Sequence, residues 1–152
     1  MSVGDRGRFV SISYETMRES NFKRASYEWL SGNVMRLSAY DANARKKFST
    51  GTKKGDLFRI RHYQYDMTGF FMTANTNLTF SNVAVYGAAG VAFFAEGEQH
   101  HWQMLQTHVK PRPGTQRPIS SCADHVHLNG TSGYFKMDGC EIGFGGDDGL
   151  NV

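Results

Sequence analysis

Three segments of the sequence align without gaps and share one pattern of apolar residues. They are residues 78–85, 102–109 and 135–142, and positions one, three, six and eight of each are apolar or small. Alternation of this kind is typical of β-strands. The aligned positions form four columns: Leu78/Trp102/Phe135, Phe80/Met104/Met137, Val83/Thr107/Cys140 and Val85/Val109/Ile142. The offsets of 24 and 33 residues therefore predict one strand that recurs in successive turns of the chain.

A second set of short segments alternates with the first. It comprises residues 68–72, 89–93, 124–128 and 148–152, at spacings of 21, 35 and 24 residues. Strands that recur in this way are typical of a parallel β-helix, in which each coil buries its apolar side against its neighbours. The longest step contains Lys110–Pro118, whose prolines and glycine predict a loop that leaves the coil. An antiparallel sandwich also alternates, but it does not explain why two strand sets stay in register.

The sequence therefore predicts an all-β fold, a partial right-handed parallel β-helix over residues 57–152. An irregular N-terminal segment, residues 1–56, is expected to precede it and to cap it. Within that segment Glu15–Leu30 predicts an amphipathic helix, whereas Val34–Leu37 and Leu57–Ile60 predict the first strands. Because the sequence stops inside an apolar strand, we expect further coils or another chain, such as a second copy, to cover that end.

Charge and composition exclude several classes of partner. Residues 1–62 hold 13 Lys and Arg against 6 Asp and Glu, whereas residues 63–152 hold 4 against 8, so a uniformly basic nucleic-acid face is not expected. No apolar run approaches the roughly 18 to 20 residues of a membrane helix, so we expect no membrane insertion. Cys122 and Cys140 are too few for a disulfide scaffold and lack zinc-site spacing.

Acidic residues mark the start of the second strand set. Asp124 and Asp148 occupy the same position on successive coils, so they are expected to stack at about 4.8 Å, with Asp147 beside them. Crowded carboxylates repel one another, which allows one to act as a general acid and another as a general base. A single Asp is equally typical of a turn. Three on one face favour a functional site, because stacked like charges destabilise a sheet.

The faces of the second strand set can also be assigned from alternation. We expect the outward column to consist of Phe71, Ala92, His127 and Asn151. The inward pairs are then Phe70/Met72, Val91/Phe93, Val126/Leu128 and Leu150/Val152. His127 and Asn151 thereby become candidates for substrate binding, as do Arg112 and Arg117 on the insertion. A histidine on a strand face and an arginine on a loop are also common without function.

Two motifs carry a family resemblance. Residues 112–124, Arg-Pro-Gly-Thr-Gln-Arg-Pro-Ile-Ser-Ser-Cys-Ala-Asp, and residues 146–152, Gly-Asp-Asp-Gly-Leu-Asn-Val, resemble the exo-α-1,3-galactosidases of glycoside hydrolase family 110. Residues 55–61, 68–71 and 83–90 are similar to that family as well. The Asp-Asp pair is shared with other pectin-lyase-like hydrolases. The resemblance covers about residues 55–152, and the family pattern continues beyond Val152 into a histidine.

This resemblance implies an exported or periplasmic enzyme that hydrolyses terminal α-1,3-linked galactose with inversion and without a metal or other cofactor. It assigns the acidic positions to Asp124, Asp147 and Asp148. The partner is then a glycan with terminal galactose. Two alternatives stay open: a glycan-binding or phage-spike type of β-helix without catalysis, and a purely structural solenoid. Release of galactose separates the first possibility from the others.

The remaining candidates have simpler interpretations. Trp102 falls in an inward column and is expected in the core, and Cys140 is expected as a buried thiol. A metal site could be assembled from Asp124, His125, His127 and Asp148. It is disfavoured because neighbouring residues of a strand, such as 124 and 125, point to opposite faces.

Overall fold

The computed structural model describes residues 9–12, 26–38, 46, 49–50, 53–60, 65 and 67–152. The protein is all-β with parallel sheets. It divides into two compact units, residues 1–62 and 63–152. The boundary expected between residues 56 and 57 stays a prediction. Among the described residues, no helix has the length and apolarity needed to cross a membrane.

The first unit contains four described strands. They are β1 (Phe9–Ile12), β2 (Ser26–Ser31), β3 (Val34–Ser38) and β4 (Leu57–Ile60). Strands β1 and β4 pair in parallel, with Phe9 opposite Leu57. Strands β2 and β3 form an antiparallel hairpin. Its turn, Gly32–Asn33, is a residue pair that favours two-residue hairpin loops.

The helix predicted over Glu15–Leu30 is wrong in its C-terminal part, since β2 begins at Ser26. Residues 15–25 lie outside the described residues. The hairpin provides the physical reason, because it gives Glu28 a cross-strand partner in Arg36 at 2.9 Å, and such pairs stabilise a sheet. The strands predicted at 34–37 and 57–60 are confirmed.

The second unit contains ten short strands in three parallel sheets. The sheets have the orders β5-β8-β11-β14, β6-β9-β12 and β7-β10-β13. The strands are β5 (Phe70–Thr73), β6 (Thr79–Ser81), β7 (Ala84–Val85), β8 (Phe93–Glu96), β9 (Trp102–Leu105), β10 (His108–Val109), β11 (Val126–Asn129), β12 (Phe135–Asp138), β13 (Glu141–Ile142) and β14 (Leu150–Asn151).

The register predicted for the first strand set is confirmed. Phe80 lies opposite Met104 in a parallel pair, an offset of 24 residues. Phe135 lies opposite Trp102, an offset of 33. The amide of Gln103 donates to the carbonyl of Leu78 at 2.9 Å, which fixes the first of these two offsets. Parallel pairing of these strands excludes the antiparallel sandwich.

The register predicted for the second strand set is wrong by two residues in its first two steps. Phe93 pairs with both Phe70 and Val126, so Phe94, rather than Ala92, stands in the outward column. Ala92 is fully buried. Because side chains alternate with a period of two, a shift of two residues changes the partners and leaves the faces unchanged. The last step, Val126 opposite Leu150, is as predicted.

The inward side chains of the three sheets form one apolar cluster. Phe93, Met104, Val109 and Val126 are fully buried in it. Trp102 is 3% exposed, and its ring lies 4.3 Å from that of Phe135, which confirms its predicted place in the core. Cys140 is partly buried against this cluster rather than fully enclosed.

The insertion leaves the coil at one corner. Val109 lies opposite Val85 and Ser121 lies opposite Ala88. The 12-residue step between the first members of these pairs thus replaces a 3-residue step in the preceding coil, as the prolines predicted. At the last strand, Leu150 is 45% exposed and Val152 is 88% exposed. A covering chain at this end stays a prediction.

Candidate active site

Asp124 lies in the bend before β11, and its carboxylate is almost entirely buried. Its carbonyl accepts a hydrogen bond from the amide of Ala92 at 3.0 Å, which fixes the bend to the neighbouring coil. The side chain is 3% exposed. Its Oδ2 accepts from His127 Nδ1 at 2.7 Å and from Asn151 Nδ2 at 3.2 Å. Its Oδ1 accepts from the amide of Asp148 at 3.2 Å, so the carboxylate has three donors, as a buried acceptor requires.

The structure brings the three predicted acids together. One carboxylate oxygen from each of Asp124, Asp147 and Asp148 lies within 4.8 Å of the other two. Asp147 and Asp148 are exposed, whereas Asp124 is beneath the surface. Two reactive carboxylates thus face solvent, and a third holds the surrounding side chains in place.

Two of the predicted substrate-binding residues lie beside these acids. His127 and Asn151 are opposite each other on β11 and β14, and both are half-buried. Because both donate to the same oxygen of Asp124, their orientations on the sheet face are fixed. The remaining nitrogen of the His127 ring, Nε2, and the amide oxygen of Asn151 are the atoms with which these side chains could contact a ligand.

Aromatic rings extend from His127 along the outward face of the sheet. The ring of Phe94 lies 5.1 Å from that of His127 in an edge-on arrangement. The ring of Phe71 follows at 5.6 Å from Phe94 and is 55% exposed. Sequence analysis missed Phe94. The repeated Phe-Phe pairs at residues 70–71 and 93–94 are the signal that would have found it.

His125 points away from the acids, as alternation predicted. It is 3% exposed, and its Nε2 lies 3.2 Å from the hydroxyl of Ser120. Its Nδ1 lies 3.2 Å from the carbonyl of Asp148. The ring fills the space over Gly145, where an added Cβ would lie 2.2 Å from Cε1. His125 therefore supports the turn that carries the acids and does not join them in one ligand set.

The two arginines of the insertion differ in their surroundings. Arg117 donates from Nε to the carbonyl of Ile119 at 3.1 Å. Its guanidinium lies directly over Gly87, where an added Cβ would be 2.7 Å from Cζ. Arg112 is exposed, and its carbonyl accepts from the hydroxyl of Thr115 at 2.7 Å, within a turn. Substrate binding by either arginine stays a prediction.

Comparison with known proteins supplies the nearest functional reference. Part of the chain is 29% identical over 109 residues to a protein named α-1,3-galactosidase A from Akkermansia muciniphila. Two proteins of the same name from Bacteroides fragilis, strains YCH46 and NCTC 9343, are 27% and 26% identical over 100 residues. The chain resembles α-1,3-galactosidases. The predicted resemblance is thereby confirmed.

These alignments cover much of the chain and little of the relatives. They include 70% of the chain for the Akkermansia protein and 66% for each Bacteroides protein. The chain spans 16 to 18% of the length of these curated relatives. No family model matches it.

Proposed function

We propose that this chain forms part of a glycoside hydrolase that releases terminal α-1,3-linked galactose from a glycan. The observation that carries the proposal is the acidic cluster, in which Asp124, Asp147 and Asp148 have carboxylate oxygens within 4.8 Å of one another. Glycosidases act through pairs of carboxyl groups. The similarity to proteins named α-1,3-galactosidase A supports the choice of galactose and of the α-1,3 linkage.

The fold that we propose for residues 63–152 is a right-handed parallel β-helix of the pectin-lyase-like type. Its support is the order of the strands, because each of the three sheets takes one strand from every coil and every pair is parallel. A stack of coils leaves a long outward sheet face. The acids lie at the start of β11 and β14, on such a face.

The three acids have different proposed roles. Asp147 and Asp148 are exposed and can reach the glycosidic oxygen and an attacking water. Asp124 positions His127 and Asn151, which then bind sugar hydroxyls. The resemblance implies inversion, for which the acid and the base stand about 6.5 to 9.5 Å apart with a water between them. The separation of 4.8 Å or less joins the nearest oxygens of the acids, so an exposed acid must rotate outward to admit that water.

The aromatic column is the proposed platform for the substrate. Phe94 and Phe71 continue the face from His127 with ring separations of 5.1 and 5.6 Å. Sugar rings present apolar C–H faces, and aromatic side chains bury such area while hydroxyl groups stay hydrogen-bonded. The terminal galactose then lies at the acids, and the rest of the glycan lies along the rings.

The test is release of galactose from galactosyl-α-1,3-galactose by a longer protein that contains residues 1–152, with the chain alone in parallel. Asp147→Asn and Asp148→Asn should each reduce turnover by at least about 100-fold, the scale of a lost acid or base. Asp138→Asn, which changes an exposed acid on another sheet, is the matched control. Proton NMR of the first product should show the β-anomer if the reaction inverts. Chelator treatment should leave the rate unchanged.

The second candidate is a glycan-binding module without catalysis. It is favoured by the aromatic column and by the three hydrogen bonds that occupy Asp124. This alternative predicts that the same disaccharide binds and that no galactose appears. Full turnover in both Asn variants would remove the acids from the mechanism.

A further inference from the structure

A groove lies on a different face of the second unit, along the outward side of the sheet β6-β9-β12. Its volume is about 390 Å³, which lies in the range of small-molecule sites. Two outward columns line it. They are Asn77, His101 and Tyr134 in the first and Thr79, Gln103 and Lys136 in the second, with the buried Trp102 as the floor.

Tyr134 provides an aromatic surface at this groove. It is 75% exposed, more than any other aromatic residue among those described by the structure. Its ring packs edge-on against His101 with 4.9 Å between the centroids. Gly133 makes this packing possible, because a Cβ there would lie 3.0 Å from His100 Cβ and 3.6 Å from His101 Nδ1. The ring is thus supported on one edge and leaves a face open to solvent.

The polar groups of the groove suit a ligand with hydroxyl groups. Gln103 donates to the hydroxyl of Thr79 at 3.0 Å, so the amide is held across two coils with its oxygen as a remaining acceptor. Asn77 is exposed beside them. Amide side chains can donate and accept at once, which matches the mixed donor and acceptor character of a sugar hydroxyl.

The charges of the groove favour a neutral ligand. Its one ammonium group belongs to Lys136, which pairs with Asp138 at 2.8 Å. The pair leaves little unbalanced charge to attract an anion. Stacking area, amide groups and near-neutral charge together describe a saccharide without acid groups.

We propose that this groove is a second binding site for a neutral oligosaccharide, with Tyr134 as the stacking platform and with Gln103 and Asn77 as hydrogen-bonding groups. It lies on a different sheet from the acids, which precede β11 and β14. The site therefore does not depend on the proposed hydrolysis. It would hold a glycan chain against the protein without cleaving it.

The experiment follows backbone amide signals of the full chain by NMR during titration with cellotetraose, galactosyl-α-1,3-galactose and tetragalacturonate. A neutral probe should shift the signals of residues 101–103 and 134–136. Tyr134→Ala should weaken this binding by about 3- to 10-fold, the range expected for one aromatic contact. Tyr134→Phe, which keeps the ring, should stay within about 2-fold.

Further variants keep the outcomes distinct. Asp147→Asn should leave binding in the groove unchanged, and Gln103→Ala should weaken it even if Tyr134→Ala fails to fold. Shifts confined to residues 124–127 and 147–151, or no shift with either neutral probe, would overturn the groove. Stronger binding of tetragalacturonate would overturn the neutral class. Binding in the groove without galactose release would reject the proposed hydrolysis and leave this inference standing.

Discussion

His127 donates from Nδ1 to Oδ2 of Asp124 at 2.7 Å, three residues away on the same strand and bend. Asn151 donates to the same oxygen from the next coil at 3.2 Å. A buried carboxylate thus links two outward side chains that the sequence places 24 residues apart. The acids of this site therefore differ in what they contribute, since Asp124 is part of the packing and Asp147 and Asp148 are part of the surface.

Substitution of these acids should separate the two contributions. Asp124→Asn places an NH₂ group among three donors, so it should lower the free energy of unfolding by about 1–3 kcal/mol. Asp147→Asn removes one of several repelling charges at an exposed position, and its melting temperature should stay the same or rise. Urea unfolding of the 152-residue chain measures both. Equal losses for the two variants would contradict the distinction.

The fold could be predicted from the sequence to the extent that alternation decides it. The columns of residues 78–85, 102–109 and 135–142 were right because each contains four apolar positions, and any slip would expose some of them. The second strand set offers only two inward positions on each coil. A slip of two residues there preserves the faces, which is why Ala92 was placed where Phe94 belongs.

The candidate site was predictable in its members and not in its geometry. The spacing of Asp124 and Asp148 indicated their proximity. The burial of Asp124 depends on His127 and Asn151 closing over it, and that contact joins positions on different coils. The groove beside Tyr134 was not predicted. Its lining comes from three coils, and each of its residues separately is an ordinary outward side chain.

The core should be sensitive at Phe93. This side chain is fully buried, and its ring stacks on Phe70 at 4.8 Å and meets Phe80 edge-on at 5.1 Å. Phe93→Ala should therefore lower the free energy of unfolding by about 3–5 kcal/mol. Met67→Ala, at a side chain that is 68% exposed, should change it by less than about 0.5 kcal/mol. A small effect at Phe93 in thermal or urea unfolding would show that the cluster is not closed.

The pair Glu141 and Lys110 should produce a pH dependence on the acid side. The hydrogen bond from Lys110 holds the pKa of Glu141 below its usual value, and the charge of Lys110 acts in the same direction. A carboxyl whose folded pKa is lowered stabilises the protein above its unfolded pKa, and this stabilisation is lost as the pH falls through the folded pKa. Lys110→Met should raise the midpoint of Glu141 in a carbon-detected NMR titration. An unchanged midpoint would rule out the pair as the cause.

Two glycines near the acids provide the last test. Gly145 lies under the buried ring of His125, where a Cβ would approach Cε1 to 2.2 Å, whereas a Cβ at Gly143 would meet nothing within 4 Å. His125 is enclosed and held by Ser120, so its ring cannot move aside without breaking that contact. Gly145→Ala should therefore lower the free energy of unfolding by about 1–3 kcal/mol, the usual range for overpacking. Gly143→Ala should change it by less than about 1 kcal/mol, on the stabilising side, because it restricts the unfolded chain. Urea unfolding of both variants gives the comparison, and amide shifts at residues 146–149 report whether the turn has moved. If the two variants lose equal stability, His125 does not support the turn that carries Asp147 and Asp148. If only Gly145→Ala is destabilised and the shifts reach Asp148, the buried histidine positions the exposed acids.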